Sequence, residues 1–225
     1  MIDNLPLYVT IVFILATLFT LILFYKASNQ SKKVLLVSIG WLVLQGVLGF
    51  FYFYTNTDGM PPRLVLALFP TFVAMGILFF TAKGKVFIAS LNLKVLTWLH
   101  VVRIPVELCL YWLFVAKTIP EVMTFEGRNF DILAGITAPI IVYLYFNRKV
   151  VSKKILLIWN VACLILLVNI VITALFAAPT PIQQIAFDQP NVGILYFPFV
   201  WLPAFIVPVV MFSHFVAIKR LRTSE

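Results

Sequence analysis

Charge is scarce in this chain. Asp, Glu, Lys and Arg make up 11% of its 225 residues, against about a quarter in ordinary soluble domains. Acids are scarcer still, 8 against 17 Lys and Arg. Such a composition cannot coat a soluble kinase, nuclease or ATPase module, so a fused soluble domain is excluded. The two cysteines, Cys109 and Cys163, lie inside apolar runs and give neither a disulfide framework nor a CxxC metal motif. With 2 histidines and no HExxH, a zinc hydrolase is excluded and no metal ligand set is expected. GxSxG and paired intrahelical Asp are missing too, which argues against an intramembrane protease.

What fills the chain instead is apolar: 63% hydrophobic residues, 22 Phe and a mean hydropathy of +1.06. Apolar runs of helical length occur at about 6–26, 34–54, 63–82, 94–117, 131–147, 155–177 and 195–218. Seven crossings of about 20 residues consume about 140, so the expectation is one all-α domain over residues 1–225, a polytopic bundle of seven transmembrane helices. The run at 131–147 is the shortest. Residues 86–93 are too few to cross and are expected at the membrane interface or as an extension of the fourth helix. Ahead of the first run stand an acid and no Lys or Arg, unlike the basic region of a signal peptide, so that run is expected to remain as a helix.

The net charge of +9 raises the question of nucleic acid, but its distribution answers no. Thirteen basic residues cluster at the ends of alternate connections: Lys26, Lys32 and Lys33; Lys83, Lys85 and Lys94; Arg148, Lys149, Lys153 and Lys154; Lys219, Arg220 and Arg222. The opposite ends carry Arg63, Lys117 and Arg128 together with Asp3, Asp58, Glu121, Glu126, Asp131 and Asp188. By the positive-inside rule the N-terminus is extracytoplasmic and the C-terminus cytoplasmic, in an inner or plasma membrane.

Two charges remain deep in the apolar runs. His100, Arg103, Glu107 and Tyr111 recur at helical spacing and share one face of the fourth helix. At 1.5 Å per residue Arg103 lies about 13 Å and Glu107 about 20 Å from the basic end, where charge is costly and faces the bundle interior. Pro105, off this face, removes a backbone donor and is expected to kink the helix. On the second helix Trp41 and Gln45 share a face, with Gln45 about 16 Å deep, and Asn169 of the sixth lies about 21 Å deep. Gln45, Arg103, Glu107, Tyr111 and Asn169 are therefore the expected binding residues for a small polar or ionic solute, with an Arg103–Glu107 ion pair as the bracing alternative.

His214 lies at the level of His100, and two such imidazoles could ligate a haem b; the supporting cues are missing, and no cofactor is expected. The loop Phe-Glu-Gly-Arg-Asn-Phe-Asp at 125–131 offers Glu126, Arg128 and Asp131 as an ion-attracting vestibule, while Asp131 is also placed to cap the fifth helix. Pro198, Pro203 and Pro208 mark the last helix as the kinked or moving element.

An opsin is excluded because residues 195–218 hold no Lys. G-protein-coupled receptors share the plan but not the motifs. A faint repeat, Trp41 to Pro61 against Trp159 to Pro179, suggests a three-plus-one-plus-three order; in that plan the chain resembles SWEET-type sugar transporters, although it lacks their Pro-Gln motif and no residue carries over. The functional expectation is a transporter or channel-like protein with a mid-membrane site, with proton coupling at Glu107 as a hypothesis. The alternatives are a receptor, sensor or assembly subunit working in a homo-oligomer or membrane complex, and an enzyme or haem protein using His100 and His214.

Overall fold

A computed structural model describes residue 2 and residues 5–223; Asp3, one of the expected outer acids, lies outside them. The chain is all-helical, 73% helix, with no strand among the described residues. Among the described residues eight helices longer than a single turn form the fold: α1 Leu7–Ala27, α2 Lys32–Phe50, α3 Val65–Phe80, α4 Ala82–Ser90, α5 Leu93–Val115, α6 Ile132–Asn147, α7 Lys153–Ala177 and α8 Leu202–Thr223. Five of them, α1, α2, α5, α7 and α8, are long and apolar enough to cross a membrane, and α3 with α4 makes a sixth if the bent pair counts as one span.

The boundaries follow local chemistry. Asn29 and Gln30 adopt left-handed backbone between α1 and α2, and the Ser31 hydroxyl accepts the Val34 N–H at the start of α2, the usual use of serine there. Thr81 does the same for Gly84 N–H at 3.1 Å, and at that point the chain turns through 92° from α3 into α4. The short segment at 86–93 is thus the end of α4 and the start of α5, separated by the Asn92 cap on Val95. Within α5 the turn His100–Val102 tightens to 3-10 geometry just ahead of Pro105, whose missing N–H breaks the regular ladder there.

The expected runs at 63–82 and 131–147 are present as helices of 16 residues, Val65–Phe80 and Ile132–Asn147, shorter than the five candidate spans. The run at 195–218 becomes a helix over Leu202–Thr223, because residues 196–200 form a bend and turns around Pro198 and Pro203 falls in the first turn of α8, where a missing N–H costs nothing. The helix these prolines mark is the most buried of the five candidate spans. Of its most apolar stretch 78% is buried, against 28–33% for α1, α2 and α7, so α8 is the central stave around which the others pack. Phe13 of α1, Leu99 and Leu113 of α5, Leu167 of α7 and Val210 of α8 meet in the main apolar core.

Two devices fix α8 against its neighbours. The Trp41 indole donates to the Ala204 carbonyl and the Trp201 indole to the Leu42 carbonyl, both at 2.8 Å, tying α2 to α8. Close approach of α6 to α5 depends on Gly135, where a Cβ would come within 2.8 Å of the Ile104 side chain and 3.3 Å of Arg103 Cβ. That contact brings the start of α6 against the middle of α5, the place where the polar residues lie.

Candidate functional site

Arg103 is 3% exposed and must find partners for its guanidinium inside the protein. It donates through Nη1 to Asp131 Oδ1 at 2.8 Å and to the Cys163 carbonyl at 3.4 Å. Its Nη2 lies 2.9 Å from His214 Nε2. A guanidinium only donates, so His214 Nε2 is the acceptor and the proton sits on Nδ1. That assignment fits the other side of the ring, where Nδ1 donates to Asn160 Oδ1 at 2.9 Å and Asn160 Nδ2 in turn donates to the Leu156 carbonyl. One arginine of α5 thereby joins the head of α6 to α7 and α8.

Glu107, one helical turn on, takes a different partner. Asn129 Nδ2 donates to both Glu107 carboxylate oxygens at 2.7 Å and to the Met123 carbonyl at 3.0 Å, while its Oδ1 accepts the Asp131 N–H at 3.0 Å. Asn129 is fully buried, so the α5–α6 connection folds back into the bundle. The sequence is Glu107, Asn129, Asp131, Arg103, His214, Asn160, joined by hydrogen bonds throughout and passing through Asp131 from its backbone amide to its carboxylate. Glu107 and Asp131 both border a small cavity of about 70 Å³ whose lining is otherwise apolar.

His100 stacks on His214 with ring centroids 4.0 Å apart and planes 16° from parallel, and Trp159 closes the pair edge-on at 5.5 Å from His100. Trp159 is itself held by the Thr137 hydroxyl at 2.9 Å. His100 Nδ1 and Arg103 Nε are buried without a hydrogen-bond partner among the described residues.

The expected residues are distributed over several places. Arg103 and Glu107 do not pair with each other; Asp131 outcompetes Glu107 for the guanidinium. Asp131 accordingly makes no capping hydrogen bond at the head of α6, and being 4% exposed it belongs to the interior. Glu126 and Arg128 are exposed, as expected of a loop, but without Asp131 no three-residue vestibule forms. Asn169 is exposed and donates to the Arg128 carbonyl at 3.2 Å, so it pins the loop from outside. Tyr111 stacks on Phe125 at 5.2 Å, and Trp41 braces α8. Gln45 is buried but accepts from the Tyr54 hydroxyl. His214, one of the two imidazoles of the haem alternative, has both ring nitrogens engaged, by Arg103 and Asn160.

Sequence reasoning missed Asn129 and Asn160. Asn160 precedes Asn169 by nine residues, which rotates the two about 180° apart on α7, and the inward-facing one carries the site. Both missed residues are lone amides in apolar or loop context, and only the partner supplied by folding distinguishes them from ordinary interhelical contacts.

Tyr54, in a 3-10 turn beyond the end of α2, gives a prediction of its own. Burial pushes its hydroxyl up to about 12, against the lowering effect of the Gln45 hydrogen bond. A group with a raised folded-state pKa stabilises the fold fully below its unfolded value, near 10, and that contribution is lost as pH rises toward 12. The denaturation midpoint of the protein is expected to fall across this window, and in Tyr54→Phe that decline shrinks. An equal decline in both would show that Tyr54 titrates as if exposed.

No curated protein and no solved structure matches the chain. Residues 60–222, which contain every member of the network from Arg103 to His214, match a family described as a domain of unknown function, and the chain belongs to that family, DUF8737.

Proposed function

We propose that this protein is a transporter or channel-like protein of the inner or plasma membrane that moves protons, or a water-sized cation exchanged with them, through the buried network. The observation that carries this reading is the pair of carboxylates, Glu107 and Asp131, bordering one small cavity at one end of a chain that runs through Arg103 to His214. A cavity of about 70 Å³ excludes a sugar-sized solute from this state and suits a proton with its water. In this reading seven segments cross the bilayer, the two 16-residue helices α3 and α6 included, with the N-terminus outside and the C-terminus inside.

The mechanism rests on groups with two states. The step from Asn129 to Asp131 runs through a backbone amide, so a proton crossing from Glu107 to the Asp131 carboxylate needs a water admitted to the cavity they share. Arg103 is the gate, because its two Nη groups hold Asp131 and His214 together. A proton reaching His214 Nε2 takes up the lone pair that Arg103 uses and sets two cations side by side, so the guanidinium must leave. Proton arrival is thereby linked to a rearrangement at α8, the central helix.

In liposomes containing the purified protein, a potassium diffusion potential is expected to drive proton uptake, read by a trapped pH dye. Glu107→Gln, which keeps the shape but not the exchangeable proton, is expected to slow it by about 100-fold. Flux at the protein-free level in the native protein would contradict the reading. A second reading, an assembly subunit braced by a dry polar core, is favoured by the complete internal pairing of Asn129 and Asn160; it predicts no flux at all and an unchanged fold in the same experiment.

A further inference from the structure

On the side of α8 away from the network, α2 and α3 stand apart and leave a cleft of about 600 Å³ between them, floored by Phe205, Pro208 and Phe212 of α8. Its lining is apolar almost throughout, the composition of pockets that hold small molecules rather than water. The α2 wall runs from Lys33 to Leu44, about 16 Å at 1.5 Å per residue, which is about half the 30 Å hydrocarbon core of a bilayer. The cleft is therefore one leaflet deep and opens sideways at Gly40, where a Cβ would meet nothing within 4 Å.

Three polar side chains mark its shallow end: Ser31, whose hydroxyl caps α2 by accepting the Val34 N–H, Lys33 and Ser38. Lys33, exposed and without an ion-pair partner among the described residues, is the only charge on the lining, and no acid borders it. It stands in the first turn of α2, which carries no acidic residue. About 7.5 Å deeper along the helix, Ser38 lines the cleft and is 7% exposed. The buried serine and threonines of the other helices donate to their own backbone, as Thr17, Thr20 and Ser213 do; Ser38 has no such bond among the described residues.

We propose that this cleft binds one acyl chain of an anionic lipid from the leaflet facing the α1–α2 turn, with the phosphate at Lys33 and the acyl ester carbonyl at the Ser38 hydroxyl. Length, apolar lining and lateral opening select a hydrocarbon chain. The lone cation at the mouth selects an anionic head, and the donor one and a half turns below it matches the place of an ester beneath a phosphate. The volume admits one chain and not two.

Native mass spectrometry of the detergent-solubilised full chain tests this with 1-oleoyl lysophosphatidate, its lysophosphatidylcholine counterpart, the ether-linked analogue of the first, and glycerol 3-phosphate. The expected result is one saturable lysophosphatidate per chain, bound about tenfold more tightly than the choline lipid, a difference of about 1.4 kcal/mol, with no binding of glycerol 3-phosphate. Gly40→Phe puts a ring at the opening, where a Cβ meets nothing within 4 Å, and is expected to abolish binding; Lys33→Gln is expected to erase the preference for the anionic head, and Ser38→Ala the preference for ester over ether. Equal binding by Gly40→Phe would overturn the proposal. So would competition by glycerol 3-phosphate, which would mean a phosphate site at the helix end only, or lipid-free dimers in place of lipid adducts, which would mean that a second copy covers the cleft.

Discussion

Arg103→Ala is expected to lower the stability of the folded protein by about 3–5 kcal/mol, the range for removing one partner of a buried ion pair. The loss is not confined to the Asp131 contact at 2.8 Å. Asp131 keeps its burial without a counter-charge, His214 Nε2 loses its donor, and the Cys163 carbonyl loses one too. Because the penalty comes from leaving an uncompensated charge in the interior, Arg103→Met combined with Asp131→Leu is expected to recover most of it. Denaturation in detergent micelles, followed by tryptophan fluorescence, reads both. If the double variant is as unstable as the single, the ion pair is not where the energy lies, and packing of the arginine stem against Gly135 is the better account.

The second large effect is expected at Asn129, which is buried completely and makes four hydrogen bonds with its one amide group. Asn129→Leu removes the donors that reach the Glu107 carboxylate among the described residues and frees the Asp131 N–H and the Met123 carbonyl. Each buried group left without a partner costs about 1–3 kcal/mol, more where it is charged, so a loss of about 3 kcal/mol or more follows. Glu107→Met in the same chain is expected to return part of it. A change in Asn129→Leu of less than about 1 kcal/mol would show that Glu107 finds another partner and that the loop is free to leave the bundle.

These two residues also show what the sequence could and could not reveal. Arg103 and Glu107 stood out because a charge within an apolar run is rare and costly, and helical periodicity put them on one inward face; both prove to be buried. Their partners could not be read, because partnership here is tertiary. Nothing local says that the loop before α6 turns inward, so Asp131 looked like a helix cap and Asn129 looked like nothing in particular. Depth alone misled at Asn169, since residues at one level of a bundle can face opposite ways. Gln45 and Tyr54 found each other across a turn between α2 and α3, a nine-residue separation that depends on where α2 ends. The helices were legible from hydropathy because their signal is local and long. Their ends were less so where proline recurs, as at Pro198 and Pro203, because the same residue is compatible with a turn and with a helix start.

The central claim is that Glu107 and His214 are the two ends of one proton path. Potential-driven proton uptake into proteoliposomes, measured side by side for the native protein, Glu107→Gln and His214→Gln, tests it most directly. The account predicts that both variants fall by about 100-fold, the scale of losing a proton-transfer group, while Tyr54→Phe, outside the path, keeps the native rate. Native-like flux in His214→Gln, with Glu107→Gln silent, would contradict it, because protons would then pass the carboxylates without crossing Arg103.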